Sequence, residues 1–253
     1  MSAARGERGP LGLVSPLRGA ALVRNSPADR VPSHGTTLGA STCAIDLVPL
    51  DDRGRTAPFT PMSFLLPEPP EHFAGFGLEV LAPADGTVRH VHDGEADHRA
   101  HRGLPSVLYA LTQRRRLRRG WQGLAGNHVV LEVARGGRAA FVVLCHLQQG
   151  SIAVGIGQRV AAGEVLARCG NSGNSMEPHV HVQAMDGGDH GTAAALPLTF
   201  PGGVPRARGR PTGGDRPGQV PTSGTGARPG DPVGLAVTSA RRPPAGRRGA
   251  CGT

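Results

Sequence analysis

Between residues 21 and 200 the chain alternates short apolar runs with turn signals. CAIDLVPL (43–50) is an apolar run closed by Pro49. LEVLAP (78–83) leads through the turn Ala84-Asp85-Gly86 into TVRHVHDG (87–94). NHVVLEVA (127–134) and RAAFVVLCHL (138–147) flank Gly136-Gly137, which predicts a hairpin with a tight turn. QRVAAGEVLARCG (158–170) holds two short strands around Ala162-Gly163, and PHVHVQAMD (178–186) alternates strictly. SVLYALTQRRRLRR (106–119) alone competes as a helix; it is weakly helical and reads as an insertion. Strands at this spacing, with turns between them, predict an antiparallel all-β domain.

Composition sets the limits of that domain. A chain of 253 residues suffices for one core plus extra segments. Gly and Pro are abundant and aromatics make up only 3%, which favours strands and turns over long helices. Residues 1–20 read as a flexible lead and 21–201 as the β domain. Residues 202–253 hold 13 Gly and 8 Pro with no apolar period, and they predict a disordered tail that buries too little surface to offset its ordering entropy.

Charge adds little about partners. The formal net charge is +9, but the tail carries nine Arg and two Asp, leaving the rest close to neutral. Lysine is absent, so arginine fills every basic position and its abundance says little about partners. The run Arg114–Arg119 has no interleaved aromatics and no recognised nucleic-acid fold, so a solvated loop is expected and no nucleic-acid partner. No apolar stretch is long enough to predict a transmembrane helix, and Met1–Pro16 has no signal-type apolar core. Cys43, Cys145 and Cys169 lie in apolar contexts and predict buried thiols, Cys251 falls in the tail, and no Cys-x-x-Cys pair suggests a cysteine zinc site.

The candidate chemistry begins at His179-Val180-His181-Val182-Gln183. On a strand, His179, His181 and Gln183 share one face, and Val180 and Val182 point to the core. Two imidazoles some ~6–7 Å apart along one strand can both reach a common centre, which makes the segment a candidate metal or phosphotransfer site: one ring can bind a metal while the other meets the substrate. Gly170-Asn171-Ser172-Gly173-Asn174-Ser175 is the turn that delivers the chain to this strand. His146 ends an apolar strand. Asp46 lies inside an apolar run, where an unpaired carboxylate is costly and a metal is one partner that would relieve it.

The features GNHVVLEV, the strand ending in CHL, GNSGNS and PHVHVQ, with VLAPADGTVRHV upstream, together resemble the lysostaphin-type zinc endopeptidase family over about residues 31–186. The resemblance implies the β-sandwich of that family, of the duplicated hybrid motif kind. It implies one Zn²⁺ per chain, held by His34, Asp46 and His181, with His146 and His179 as the catalytic histidines. Three protein ligands leave a fourth position for water. Either histidine would serve as general base, proton donor or oxyanion stabiliser. The implied substrate is a short peptide, as in peptidoglycan cross-links, which in turn implies export. Two departures stand out: His34 and Asp46 are twelve positions apart where the family's commonest spacing is three residues between the two, and Cys145 stands where an aromatic is usual.

Other arrangements compete. His90, His92, His98 and His101, with Asp93, Glu95 and Asp97, would form either a polar loop beside the groove or a second metal site. A catalytically inactive wall-binding or regulatory relative would keep the fold with a damaged site. A phosphocarrier or lipoyl-like β module would use two close histidines without needing His34 or Asp46.

Overall fold

The structure is a computed structural model that describes residues 9–204. The tail expected from residue 202 lies outside these residues beyond Val204, as does Cys251. Among the described residues, twelve strands form in chain order. They are β1 (Leu11–Gly12), β2 (Ala21–Arg24), β3 (Ile45–Pro49), β4 (Glu79–Leu81), β5 (Gly86–His92) and β6 (Asn127–Arg135). There follow β7 (Arg138–Leu147), β8 (Arg159–Val160), β9 (Val165–Arg168), β10 (Val180–Met185), β11 (Ala195–Leu196) and β12 (Leu198–Thr199). Four short helices, α1 (Pro61–Leu65), α2 (Leu104–Leu111), α3 (Gln113–Arg118) and α4 (Gly120–Ala125), interrupt them.

The main sheet runs β2-β3-β10-β7-β6-β5-β8, with β11 added beside β10, and its pairings are antiparallel. β4 and β9 form a second, antiparallel pair, and β1 lies parallel to β12. The β6–β7 hairpin turns through Gly136 and Gly137, both at positive φ (54° and 83°). That conformation suits glycine and matches the twist of the flanking strands.

Alternation divides the main sheet into two faces. Leu47 of β3, Leu131 of β6, Leu144 of β7 and Val182 of β10 point into one core. Val80 of β4, Leu166 of β9 and Leu198 of β12 meet them there, which makes a sandwich. A fully buried leucine such as Leu144 contributes ~1.5–3 kcal/mol over an exposed one. On the opposite face Val130, Val143, Cys145 and Met185 form a smaller cluster with Ala40, Ala125 and the half-buried Trp121. The second face of the sheet is thus covered by the 3₁₀ segment Leu38–Cys43 and by α4, and the candidate site lies beside them.

Two expectations change. The lead expected over residues 1–20 is structured from Leu11: Leu11 and Gly12 pair with Leu198 and Thr199, and Leu13 and Leu17 enter the main core. Leu-Gly-Leu-Val is too short to register as a strand alone and becomes one by adding to β12. The stretch 106–119, read as a weakly helical insertion, lies within three consecutive helices that span 104–125. Of the cysteines expected to be buried, Cys145 and Cys169 are, while Cys43 is half-buried.

Candidate metal centre

Asp46 sits at the centre of the site. Its neighbours Ile45 and Leu47 face the main core, so alternation turns its carboxylate to the other side of the sheet. In register, Asp46 of β3 lies directly opposite His181 of β10. His181 Nδ1 is 3.0 Å from Asp46 Oδ1. His34 arrives from the loop after β2 and brings Nε2 to 3.1 Å from both carboxylate oxygens. Asn25 Nδ2 donates to Asp46 Oδ2 at 2.7 Å.

The hydrogen bonds behind the two rings set their tautomers. Ser33 Oγ donates to the Ser41 carbonyl, so it accepts from His34 Nδ1 at 2.9 Å. Gln183 Nε2 donates to the Gly39 carbonyl at 2.8 Å, which aims its Oε1 at His181 Nε2, 3.0 Å away. Each ring therefore carries its proton on the far side and turns a lone pair to the centre. Three acceptors, His34 Nε2, His181 Nδ1 and the Asp46 carboxylate, face one another within 4.8 Å. Such a cluster repels itself unless a cation sits between its members. Zinc bonds of ~2.0–2.1 Å in a tetrahedron give ligand–ligand edges of about 3.3 Å, close to the 3.0–3.1 Å that separate each ring from Asp46. The donor set fits zinc in both chemistry and spacing.

His146 reaches the site by a break in alternation. By strict period it would share the core face with Leu144. Instead Cys145 and His146 together bulge opposite the single residue His128, between the pairs Val129–Leu144 and Asn127–Leu147. His146 adopts φ +62°, which is uncommon for a non-glycine residue and turns its ring out to the site. Its Nδ1–H donates to the Ser172 carbonyl at 2.9 Å, leaving Nε2 as the lone-pair nitrogen. The rings of His146 and His179 lie 4.7 Å apart.

The Gly/Asn/Ser turn holds both catalytic candidates. Ser172 Oγ donates to the Leu147 carbonyl and accepts from Asn127 N, so the carbonyl that orients His146 is tied to the β6–β7 pair. Gly173 takes φ +71° with its Cα against the Gly126 backbone, where a side chain has no room. Ser175 Oγ donates to the Glu177 carbonyl at 2.8 Å, and His179 Nδ1 lies within 3.0 Å of both oxygens. Asp97 receives Asn171 N (2.6 Å) and Gln149 N (2.9 Å), and Asp93 receives Gly150 N (2.7 Å). The acidic residues of the 90–101 stretch thus brace the loops around the site.

Electrostatics separates the two histidines. Burial, with His179 and His181 adding to it, pushes the His146 pKa well below its ordinary value, so its imidazole is neutral. Burial also works against a charge on His179, but Asp46 beside it and the Glu177 carbonyl outweigh that and raise its pKa. Burial opposes ionisation of Asp46 too, yet its carboxyl is held well below the usual range, with His179 beside it the leading cause. Burial lowers the His34 pKa.

A cavity of about 460 Å³ opens over these side chains. Its floor holds His34, Asp46, His146, His179 and His181, and its wall includes Tyr109, Arg116 and Trp121 from the helical stretch. All five site residues anticipated from the sequence therefore meet in one groove. Among the described residues, His34, Asp46 and His181 are the only group that converges as a metal-binding set. The other histidines split: His90 and His92 pack around His128, and His98 and His101 pack around Tyr109. Asn25 and Ser33 were not anticipated. The adjacency of Ser33 to His34 was a signal available in the sequence; nothing marks Asn25.

A β-sandwich carrying a His–Asp–His cluster that could hold a metal ion, with two further histidines beside it in an open groove, is the arrangement of a metallopeptidase-type domain. The model of peptidase family M23 matches residues 72–192, and over this stretch the chain is similar to that family. His146, His179 and His181 fall within the match; His34 and Asp46 lie upstream and join the site through the fold. Similar solved structures include the catalytic domain of the prophage-encoded M23 protein EnpA from Enterococcus faecalis, at 21% identity over 49% of this chain and 69% of that one, with a TM-score of 0.33. The catalytic domain of lysostaphin from Staphylococcus simulans is 17% identical over 60% of this chain and 73% of its own, with a TM-score of 0.33. A zinc-containing peptidase from Vibrio cholerae is 21% identical over 47% of this chain and 26% of its own, with a TM-score of 0.30.

Proposed function

We propose that this protein is a zinc-dependent metalloendopeptidase that hydrolyses peptide bonds in peptidoglycan cross-links, with one zinc held by His34, Asp46 and His181. The observation that carries this reading is the cluster of three acceptor atoms turned towards one another, with the ring protons of His34 and His181 committed to Ser33 and Gln183. A phosphocarrier would have no use for the buried Asp46 at the focus of that cluster. A zinc ion supplies Lewis acidity there, polarising a carbonyl and acidifying a water molecule.

The chain's own residues supply the proton transfers. His146 is neutral, with Nε2 unprotonated, so it takes the proton of the attacking water as the new C–O bond forms. It then passes that proton to the leaving amine as the C–N bond breaks. His179, held at Nδ1 by the Glu177 carbonyl and the Ser175 hydroxyl, would donate from its other ring nitrogen to the charge developing on the carbonyl oxygen. A cell-wall substrate requires the protein to be exported.

The test is metal analysis of the purified protein beside its His34→Ala, Asp46→Ala and His181→Ala variants, followed by incubation with purified peptidoglycan. Zinc at one per chain, lost in all three variants, with peptide release that disappears in His146→Ala, is expected. Full zinc in Asp46→Ala removes the ligand set. Equal peptide release by the parent and His146→Ala removes His146 from the mechanism, and no release by the parent identifies a non-catalytic relative.

A further inference from the structure

The helical stretch that walls the groove has an outer face of unusual character. On α2, Leu104, Val107, Leu108 and Leu111 recur at the i, i+3, i+4, i+7 spacing of one helix side, and all four are exposed, Leu108 at 68% and Leu111 at 74%. An amphipathic helix normally buries that stripe. Here the inward positions are the buried Pro105 and the half-buried Tyr109, and Tyr109 lines the groove. The neighbouring α1 repeats the inversion: Met62, Phe64 and Leu65 are exposed, as are Phe59 before it and Leu66 after it.

The two helices form one surface. Gly103, the residue before α2, has its Cα against Phe64 of α1. Arg102 ties the segments together, pairing with both Glu68 oxygens at 2.7 Å and donating to the Pro58 carbonyl at 2.9 Å. Thr60 and Ser63 cap α1 reciprocally, with Pro61 at its first position, so the apolar residues are held on a formed turn of helix. Nine large apolar side chains in one region exceed the scattered exposure usual on a monomer and mark an interaction surface.

Charge identifies the partner. α3 continues directly from α2, and its Arg114, Arg115 and Arg118 are exposed and make no ion pair among the described residues. Arg116 and Arg119, in contrast, are engaged with Asn174 and Glu95. Apolar side chains next to unpaired arginines match the boundary between lipid headgroups and acyl chains, where anionic lipid supplies the opposite charge. The chain's own segment 205–253 carries nine Arg against two Asp, and a second copy would bring the same arginines; both are disfavoured at this rim.

We propose that the outer face of α1 and α2, with the arginines of α3, docks on an anionic lipid surface and holds the groove beside a membrane. This inference does not depend on peptidase activity. Leu108 and Leu111 lie outside the groove, so their replacement leaves the site intact.

The test is flotation of the full chain with vesicles of phosphatidylcholine alone or of phosphatidylcholine and phosphatidylglycerol in equal parts. The parent should float with the anionic vesicles only. The double variant Leu108→Asp/Leu111→Asp, with an unchanged circular dichroism spectrum, should lose at least about tenfold in partitioning. Each of Arg114→Gln, Arg115→Gln and Arg118→Gln should lower it about fivefold, the equivalent of ~1 kcal/mol per basic residue. Unchanged flotation of the leucine variant would assign any binding to the basic segment 205–253 and overturn the proposal. Equal flotation of the parent with both vesicle types, or with neither, also overturns it. A dimer that Leu108→Asp dissolves would show that a second copy covers the face instead.

Discussion

His34 Nε2 stands 3.1 Å from both oxygens of Asp46, although twelve positions separate the two residues in the chain. The loop between β2 and β3 makes this possible by carrying Ser33 and His34 back over the sheet, where the Thr42 carbonyl accepts from Ser33 N at 3.0 Å. Removing the carboxylate deletes the one anionic member of the set. Asp46→Ala is expected to reduce bound zinc from one per chain to near none, as read by metal analysis after dialysis. Chelation of the parent should mimic the variant and lower the melting temperature, because zinc that binds the folded state adds RT ln(1 + [Zn]/Kd) to stability. If chelation leaves the melting temperature unchanged, no structural zinc is bound.

His146 touches none of the three ligand atoms closely, and its ring is fixed by the Ser172 carbonyl instead. Its loss should therefore separate chemistry from metal binding. His146→Ala is expected to keep one zinc per chain and to lose about 10²–10⁴-fold in peptide release, the usual contribution of a positioned general base. Release of soluble peptide from purified peptidoglycan, measured beside zinc content, checks both halves. Zinc lost together with activity would make His146 a ligand.

Some of this was legible in the chain. The period of two in Val180–Met185 put His181 and Gln183 on one face and the valines on the other, and the structure keeps that division. An aspartate inside a run of apolar residues marked Asp46 in the same way, since Ile45 and Leu47 take the core side. The same rule fails at His146, because period-two reasoning assumes an unbroken ladder and the bulge at Cys145–His146 inserts one extra residue. Asn25 was invisible for a different reason. Its contact with Asp46 is set by the pairing of β2 with β3, and no local pattern records cross-strand neighbours. The lead residues Leu11–Leu17 failed likewise, since their partners lie on β12 and β4.

Gln183 stands behind His181, away from Asp46, and its amide decides which nitrogen of His181 holds the proton. Gln183→Leu keeps the volume roughly constant and removes the acceptor. The ring is then free to tautomerise and turn. Zinc affinity is expected to fall about 10–100-fold, the usual cost of losing the group behind a ligating histidine. Competition with a chromophoric chelator measures it, and an unchanged dissociation constant would mean that packing alone orients His181.

His128 gives the protein an acid-sensitive point away from the ligand set. Its ring is buried, with 1% exposure, against His90, His92 and Trp121, and Nδ1–H donates to the Gly126 carbonyl at 2.7 Å. Burial lowers its pKa from 6.5 to about 4, with His90, His92 and His190 adding to the effect and the Gly126 carbonyl opposing it. A depressed folded-state value means that the unfolded chain binds the proton first. The stability linked to this group is therefore complete above pH ~6.5 and is lost as pH falls towards about 4, a change on the order of 3 kcal/mol. His128→Asn preserves a donor near the Nδ1 position and does not titrate there. Urea unfolding of parent and variant at pH ~7 and pH ~4.5 should show the parent losing about 2–3 kcal/mol more than the variant. Parallel losses in the two proteins would assign the acid sensitivity to the other buried histidines, His146 first among them.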